Sequence, residues 1–396
     1  MENFNFHRPT AYYFGASREN EVGAIIRALH KRKVLIVYGG GSCMRSGLLA
    51  RVQASLNASE IEFVVQGGVE PNPRAELVYD LIACARAHQV DFILAVGGGS
   101  VIDTAKAVAI GAVNSGDFFD FWQQKRTPEG ALGVGVILTI PAAGSEGSAS
   151  SVIQKEVDGS TLKIGLTSNY NIPVFAIMNP ELTKTLSAYQ SACGAVDMLS
   201  HVMERYFTNT PDVSITDHLC EGVMCSIVET APRVIHEPLN YDARANLMWA
   251  GTLAHNDICG VGRKQDWATH ALEHPLSALY DIAHGAGLAV MFPAWMEYTI
   301  SHNPMRFAQF ANRVFGINMD FEDPKRTAKA GIVALRSFYK SIGMPLNFEQ
   351  LGAKAEDIPK LIKLLYLTKK SVGRFVQLSP ADCEAIYKIA ATYQEG

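Results

Sequence analysis

The feature that most constrains this chain is a unit that it repeats: an apolar segment, three glycines and a serine, and a segment with helical periodicity. Lys33–Tyr38 (KVLIVY) precedes one GGGS loop at residues 39–42, and Asp91–Val96 (DFILAV) precedes a second at residues 97–100. Apolar strands that alternate with helices are typical of a parallel sheet covered by helices. The first half of the chain is therefore predicted to be an α/β domain.

Further elements follow from the same periodicities. Helices are expected over residues 46–56, 74–88 and 101–112, strands over 60–65, 133–140 and 174–178, and a hairpin whose strands 151–157 and 161–166 flank Asp158-Gly159. Ser187 and Gln190 fit a capping box, and helical periodicity dominates from there onward. We therefore predict an α/β dinucleotide-binding domain over residues 1–185 and an all-helical metal-binding domain over residues 186–396.

Composition excludes several classes of protein. The 396 residues are 48% apolar and 19% charged, which indicates a folded globular chain. The net charge of −4 does not favour nucleic-acid binding, and no apolar run is long enough to span a bilayer. Seven cysteines without a Cys-x-x-Cys pair argue against a disulfide framework. With no recognisable signal peptide, we expect a cytoplasmic protein.

The two glycine loops indicate a nucleotide site. Glycine lets the backbone approach a ligand closely, and a helix that begins there directs N–H groups at a phosphate. Loop 97–100 is the better pyrophosphate candidate, because Ser100 is expected to cap a helix that contains Asp103 and Lys106. Neither loop has the Gly-x-Gly-x-x-Gly or the Walker A pattern. Tight turns without a ligand are the alternative interpretation.

The first loop bears on which nicotinamide cofactor binds. A carboxylate at the end of such a strand usually binds the adenosine ribose of NAD, but here Tyr38 is followed by glycines and Ser42. A 2′-phosphate would meet no repulsion there, which favours NADP(H), with NAD(H) as the alternative. Arg45 is either a partner of that phosphate or a solvated helix residue.

A second constellation has the composition of a metal site. Asp197 and His201 lie one helical turn apart, and His270, His274 and His284 fall within fifteen residues of one another. One carboxylate with imidazoles suits Zn²⁺ or Fe²⁺, and with neutral imidazoles the site would keep a net positive charge. Spacing alone leaves open which three of the four histidines bind the metal, and which metal it is.

These motifs together resemble the group III metal-dependent, or iron-containing, alcohol dehydrogenases, over essentially the whole chain. The nearest subgroup is the NADPH-dependent butanol dehydrogenase and broad aldehyde reductase type. Besides the metal motif, the resemblance rests on blocks in the expected order: residues 6–10 (FHRPT), 14–15 (FG), 70–73 (EPNP), 97–106 (GGGSVIDTAK), 139–146 (TIPAAGSE) and 179–180 (NP).

The resemblance implies a dehydroquinate synthase-like fold, with the active site in a cleft between the domains, and a homodimer. It implies that the metal ligands are Asp197, His201, His270 and His284, and that His274 lies near the substrate and handles a proton. The implied cofactor-binding residues are Gly39, Gly40, Gly41, Ser42, Asn72, Gly97, Gly98, Gly99, Ser100, Asp103, Thr139 and Lys163. The implied reaction is hydride transfer between NADP(H) and a short- to medium-chain aldehyde or primary alcohol.

Two departures from the family pattern and several alternatives accompany this hypothesis. Ala143 stands where relatives commonly have threonine, and Met44-Arg45 replaces a common lysine pair. The alternatives are an NAD-dependent polyol or lactaldehyde dehydrogenase, a cyclase of the dehydroquinate synthase class, and a metal-stabilised binding protein without catalysis. Few Lys and Arg residues accompany the metal motif, which favours a small uncharged substrate over the phosphorylated substrates of the cyclases.

Overall fold

The structure is a computed structural model that describes residues 1–369 and 371–394, and in it the chain divides into two compact units. The α/β unit comprises His7–Gly159 and Lys163–Thr185. The helical unit comprises Met1–Phe6, Ser160–Leu162 and the residues from Leu186 onward. The first six residues therefore belong with the helices.

A parallel sheet forms the centre of the α/β unit. The strands of the chain are β1 (Ala11–Phe14), β2 (Lys33–Tyr38), β3 (Glu62–Gln66), β4 (Phe92–Gly97), β5 (Gly133–Leu138), β6 (Ser150–Val157), β7 (Ser160–Thr167) and β8 (Phe175–Met178). Six of them form the sheet in the order β1-β8-β5-β4-β2-β3, and every pairing that the structure describes in it is parallel. Strands β2, β4 and β8 consist largely of branched and aromatic residues and are almost completely buried.

Helices connect these strands. They are α1 (Val22–Ala28), α2 (Ser42–Arg45), α3 (Leu48–Ala58), α4 (Ala75–Ala87), α5 (Gly99–Val113) and α6 (Phe119–Trp122). The single helix expected over residues 46–56 is wrong in its extent. Gly47 adopts φ +71°, a left-handed conformation that separates α2 from α3. Strand β1 and helix α1 were not predicted.

The hairpin β6–β7 stands apart from the main sheet. Asp158 and Gly159 both have positive φ, +49° and +72°, as the tight turn between two antiparallel strands requires. The turn predicted from this dipeptide is confirmed.

The helical unit contains α7 (Ala188–Tyr206), α8 (Ser214–His236), α9 (Tyr241–His255), α10 (Ala268–Tyr280), α11 (His284–Thr299), α12 (Pro304–Phe315), α13 (Pro324–Ser341), α14 (Phe348–Leu351), α15 (Ile358–Thr368) and α16 (Pro380–Thr392). Ser187 and Gln190 form the predicted capping box at the start of α7. Helices α7 and α11 are buried along most of their lengths and lie in the core of this unit. Among the described residues, no helix combines the length and apolarity needed to cross a bilayer.

Candidate metal centre and cofactor loops

The candidate metal centre is assembled on three helices of the helical unit. Asp197 and His201 lie one turn apart on α7, His270 lies in the first turn of α10, and His284 is the first residue of α11. Three imidazole nitrogens approach the same atom, Asp197 Oδ1. The distances are 3.7 Å from His201 Nδ1, 3.9 Å from His270 Nε2 and 3.8 Å from His284 Nε2. The structure therefore brings together the four residues that the resemblance implied.

These four residues fit a divalent cation. The separations are too long for hydrogen bonds, whereas ligand atoms around a tetrahedral ion lie about 3.4 Å apart when each bond is about 2.1 Å. His201 Nδ1 and His270 Nε2 are buried and make no hydrogen bond within the described residues. Burial, followed by the charges of neighbouring groups, lowers the pKa of His201 well below its usual range. The imidazole is therefore neutral, as a ligand must be.

Two glutamates that the sequence interpretation missed lie behind this centre. Glu204 Oε1 lies 2.9 Å from His270 Nδ1, and Glu273 Oε2 is hydrogen-bonded to His284 Nδ1. Both carboxylates are almost fully buried. Each follows a metal-site histidine by three residues on the same helix, Glu204 after His201 and Glu273 after His270. That spacing was visible in the sequence, but it is also common in helices without any site.

Aromatic and cationic groups cover the outer side of His201. The His255 ring stacks on it with ring centroids 4.0 Å apart, and Arg205 Nη2 lies 3.1 Å from His255 Nδ1. Arg205 Nη1 donates to the His201 carbonyl oxygen at 2.7 Å, and its guanidinium lies over the ring of Trp267. Arg205 therefore contacts His201, His255 and Trp267, and these contacts hold this side of the site in place.

His274 lies beside the centre. It is half-buried one turn after His270, and its ring centroid is 5.7 Å from that of His284. Ligand atoms of Glu273, His274 and His284 lie within 4.8 Å of one another. This location is compatible with the proton-handling role that the resemblance implied, and the role stays a prediction.

The two glycine loops lie side by side in the α/β unit. Tyr38 on β2 is in register with Val96 on β4, so residues 39–42 and 97–100 leave the same edge of adjacent strands. The chain runs from β2 to β3 on one side and then to β4 on the other, so the strand order reverses between these loops. Open α/β sheets bind their ligands at such a point.

Close packing explains two of the glycines. A Cβ on Gly97 would lie 2.5 Å from the Val101 side chain, and a Cβ on Gly98 would lie 2.8 Å from Ile140. Thr139 follows β5 and donates its N–H to the Gly97 carbonyl oxygen at 3.0 Å. The segment that begins at Thr139 therefore lies against the second glycine loop, and the cofactor role that the resemblance implied for both stays a prediction.

The structure corrects the helix cap predicted at Ser100 and shows the hydrogen-bond partners of Asp103. Gly98 is the N-cap of α5 and the helix begins at Gly99, so the prediction that Ser100 caps it is wrong. The helix begins two residues earlier than the periodicity suggested; its N-cap Gly98 is extended, with φ −94° and ψ −166°, and the close approach of Ile140 is what requires glycine there. The carboxylate of Asp103 accepts hydrogen bonds from Ser145 Oγ and Val152 N, which holds the segment after Thr139.

Asn72 and Lys163 form a pair in the same unit. Lys163 Nζ donates to Asn72 Oδ1 at 3.1 Å, and Lys163 is mostly buried. Asn72 follows β3 and adopts φ +54°, a left-handed conformation that asparagine tolerates well. The resemblance implied both as cofactor-binding residues, and the structure brings the two together.

Comparison with known proteins agrees over the whole chain. Residues 9–180 match the family described as iron-containing alcohol dehydrogenase, and residues 191–391 match the C-terminal domain of the Fe-containing alcohol dehydrogenase family. A probable NADH-dependent butanol dehydrogenase 1 of Bacillus subtilis (strain 168) is 38% identical over 395 residues, 98% of this chain and 99% of the relative. The NADPH-dependent aldehyde reductase YqhD of Escherichia coli (strain K12) is 38% identical over 370 residues, 92% and 93% of the two chains.

The same similarity extends to solved structures. The crystal structure of NADH-dependent butanol dehydrogenase A from Thermotoga maritima superimposes with a TM-score of 0.95, at 40% identity and over 99% of each chain. That of YqhD from E. coli K-12 gives a TM-score of 0.93 at 35% identity, over 98% of this chain and 99% of the other. These similarities confirm the predicted fold class, a parallel α/β domain and a helical domain with the dehydroquinate synthase-like fold.

Proposed function

Because the chain belongs to the iron-containing alcohol dehydrogenase family and is an oxidoreductase of alcohols and aldehydes, we propose that it reduces short- and medium-chain aldehydes such as butanal, with NADP(H) as its preferred hydride carrier. One observation carries the proposal: Asp197, His201, His270 and His284 converge on a single point within the helical unit. These four side chains together form a suitable set of ligands for Fe²⁺ or Zn²⁺.

The protein supplies position and charge to this reaction. A divalent cation held by the four residues would act as a Lewis acid toward a carbonyl oxygen. The loops at residues 39–42 and 97–100, with Asn72, Thr139 and Lys163, would bind and orient the nicotinamide nucleotide. Asp103 would act by holding the segment after Thr139 rather than by touching the cofactor. His274 would pass a proton to or from the oxygen of the substrate.

The preference for NADP(H) rests on the surroundings of the first loop. Strand β2 ends at Tyr38 and is followed by Gly39, with no carboxylate up to Leu48. The Arg45 guanidinium folds toward Gly41, where Nη1 would lie 3.5 Å from an added Cβ. That cation would attract a 2′-phosphate. Relatives of similar identity bear names with either NADH or NADPH, so cofactor choice differs within this part of the family.

The arginines near the metal centre support an uncharged substrate. Arg263 is buried and donates to Asp217 Oδ1 at 2.7 Å and to the carbonyl oxygens of Arg205 and Val213. Arg205 is likewise hydrogen-bonded to the carbonyl oxygen of His201 and to the ring of His255. Cations that are already paired inside the protein do not supply the phosphate-binding cluster that a cyclase of the dehydroquinate synthase class would need. The pairing of these arginines inside the protein therefore favours an uncharged aldehyde or alcohol as the substrate.

A panel of aldehydes with NADPH and NADH, after reconstitution with Fe²⁺, Zn²⁺ or Mn²⁺, tests the proposal. We expect net oxidation of NADPH with butanal, and a kcat/KM for NADPH above that for NADH. We expect the variant R45A to lower kcat/KM for NADPH about tenfold, about 1.4 kcal/mol, with little change for NADH. Equal effects on both cofactors would remove the argument from Arg45. Activity only with lactaldehyde or polyols, and only with NAD(H) as the cofactor, would favour the alternative polyol or lactaldehyde dehydrogenases.

We further expect a homodimer in the cytoplasm, as the resemblance implies. Strand β1 lies at an edge of the sheet, and Phe14 at its end is exposed. Light scattering after size-exclusion chromatography measures the mass directly. A mass of about twice 43.1 kDa supports the dimer, and a monomer mass contradicts it.

A further inference from the structure

Glu204 is surrounded by donors. Its two oxygens accept hydrogen bonds from the backbone N–H groups of Trp267 and His270 and from the Thr269 hydroxyl, in addition to the His270 ring. The N–H groups can only donate, and the oxygens of a carboxylate can only accept. His270 Nδ1 must therefore carry the proton in the contact with Glu204. That leaves Nε2, the atom 3.9 Å from Asp197 Oδ1, with its lone pair free.

Glu273 has the same relation to His284 on a different pair of helices. It is fully buried, and the Ser277 hydroxyl donates to its other oxygen. Gly287, one turn after His284 on α11, makes room for it, because a Cβ at that position would lie 2.7 Å from Glu273 Cγ and Oε1. A hydrogen bond from His284 Nδ1 to this carboxylate leaves Nε2 directed toward Asp197.

We infer that Glu204 and Glu273 are positioning residues that fix the tautomer and ring orientation of His270 and His284, and that they set how tightly the metal is held. This inference rests on the proposed function only for the presence of a metal at Asp197. Carboxylates behind metal-binding histidines raise the basicity of the imidazole and hold its ring. His201 has a different support, because its carbonyl oxygen binds Arg205 and its ring stacks on His255.

The two glutamates also change the charge of the centre. With Asp197 as the only carboxylate, a divalent cation would leave one positive charge, as the sequence interpretation assumed. Counted in their ionised forms with Asp197 and a divalent cation, Glu204 and Glu273 would give the centre one negative charge. A centre of this kind retains a cation strongly in a low-dielectric interior, and withdraws less electron density from a substrate oxygen than a cationic one would.

Metal affinity in the variants E204Q and E273Q tests the inference without relying on catalysis. Glutamine keeps the size of the side chain and removes its charge. We expect the Kd for Zn²⁺, measured by competition with a chromophoric chelator, to rise about 10–100-fold in each variant. The matched control is E221Q, a buried glutamate of the same unit that binds Tyr206, Gln309 and Arg313 but no metal-site histidine. Its Kd is expected to match that of the unaltered protein.

A second measurement separates positioning from a general loss of structure. The melting temperature of each metal-free variant should stay near that of E221Q, while the increase on adding Zn²⁺ should be smaller. Long-range ¹H–¹⁵N spectra of the unaltered Zn²⁺ protein, which need no variant, should show His270 and His284 protonated at Nδ1. Zn²⁺ affinities of E204Q and E273Q within twofold of E221Q, or Nε2–H tautomers, would overturn the inference. Zn²⁺ binding without aldehyde reduction would instead contradict the proposed function alone.

Discussion

At the scale of single residues, identical side chains acquire different chemistry from their neighbours. His270 and His284 each face a buried carboxylate, His201 stacks on another histidine, and His274 is half-buried beside them. Sequence spacing treats these histidines alike. Their surroundings distinguish three residues suited to holding a cation from one suited to handling a proton.

Replacing His274 tests the proton role. We expect H274A to lower kcat for butanal reduction about 100-fold and to flatten its pH profile, because the group that transfers the proton is gone. Metal content should be unchanged, which stopped-flow chelator titration measures. The exposed His88 on the other unit provides the control H88A. A kcat and pH profile equal to those of H88A would remove His274 from the mechanism.

The titration of Lys106 tests how burial in the interior of the α/β unit affects stability. It is fully buried and donates to Ser145 Oγ and to the carbonyl oxygens of Ser148 and Ser150. Burial lowers its pKa to about 8, against the opposing charges of Asp103 and Glu146. The unfolded chain keeps this lysine protonated up to about pH 10.5, so between pH 8 and 10.5 the unfolded state holds more protons. The contribution of Lys106 to the free energy of unfolding therefore rises with pH between about 8 and 10.5.

The comparison with K106M isolates this contribution from other titrations. We expect the free energy of unfolding of the unaltered protein, minus that of K106M, to increase between pH 8 and 10.5 by on the order of 3 kcal/mol. Urea denaturation at a series of pH values measures it. A difference that is flat or decreases with pH would contradict the lowered pKa of the buried Lys106.

At the scale of secondary-structure elements, close backbone contacts hold the metal-site helices together. Gly285 follows His284 at the start of α11, and a Cβ on it would collide with the backbone of Cys193 on α7. Backbone atoms cannot move aside as a flexible side chain can. The approach of α11 to α7, and with it the approach of His284 to Asp197, therefore depends on this glycine.

The variant G285A is expected to lower the free energy of unfolding by about 1–3 kcal/mol and to weaken Zn²⁺ binding. The matched control is G222A on α8, where nothing lies within 4 Å of an added Cβ. Because alanine favours helix, G222A should stabilise by up to about 1 kcal/mol. Equal effects of the two variants on stability and Zn²⁺ affinity would show that the contact does not matter.

The elements also show what sequence can predict. Long or sharply bounded features were predicted, such as the capped start of α7, strand β2 and the hairpin at Asp158-Gly159. Strand β1 was missed because it is four residues long and its burial pattern does not alternate. The resemblance indicated the candidate ligand histidines, but not their partners Glu204 and Glu273. Only packing shows that a helical glutamate is buried and bound to an imidazole.

At the scale of the whole molecule, one centre joins segments that are distant in sequence. Asp197 and His284 are nearly ninety residues apart, and the two glycine loops lie in the other unit of the chain. A single divalent cation would link three helices of the helical unit, so its binding should raise the melting temperature as well as support catalysis.

The rate of NADPH oxidation with butanal, before and after removal of the metal, tests the central claim most directly. The protein is treated with a chelator, dialysed, and assayed as the metal-free form and after addition of Fe²⁺ or Zn²⁺. We predict a loss of at least about 100-fold on removal and recovery to near the initial rate with one equivalent of cation. A metal-free protein that reduces butanal at the full rate would contradict the claim.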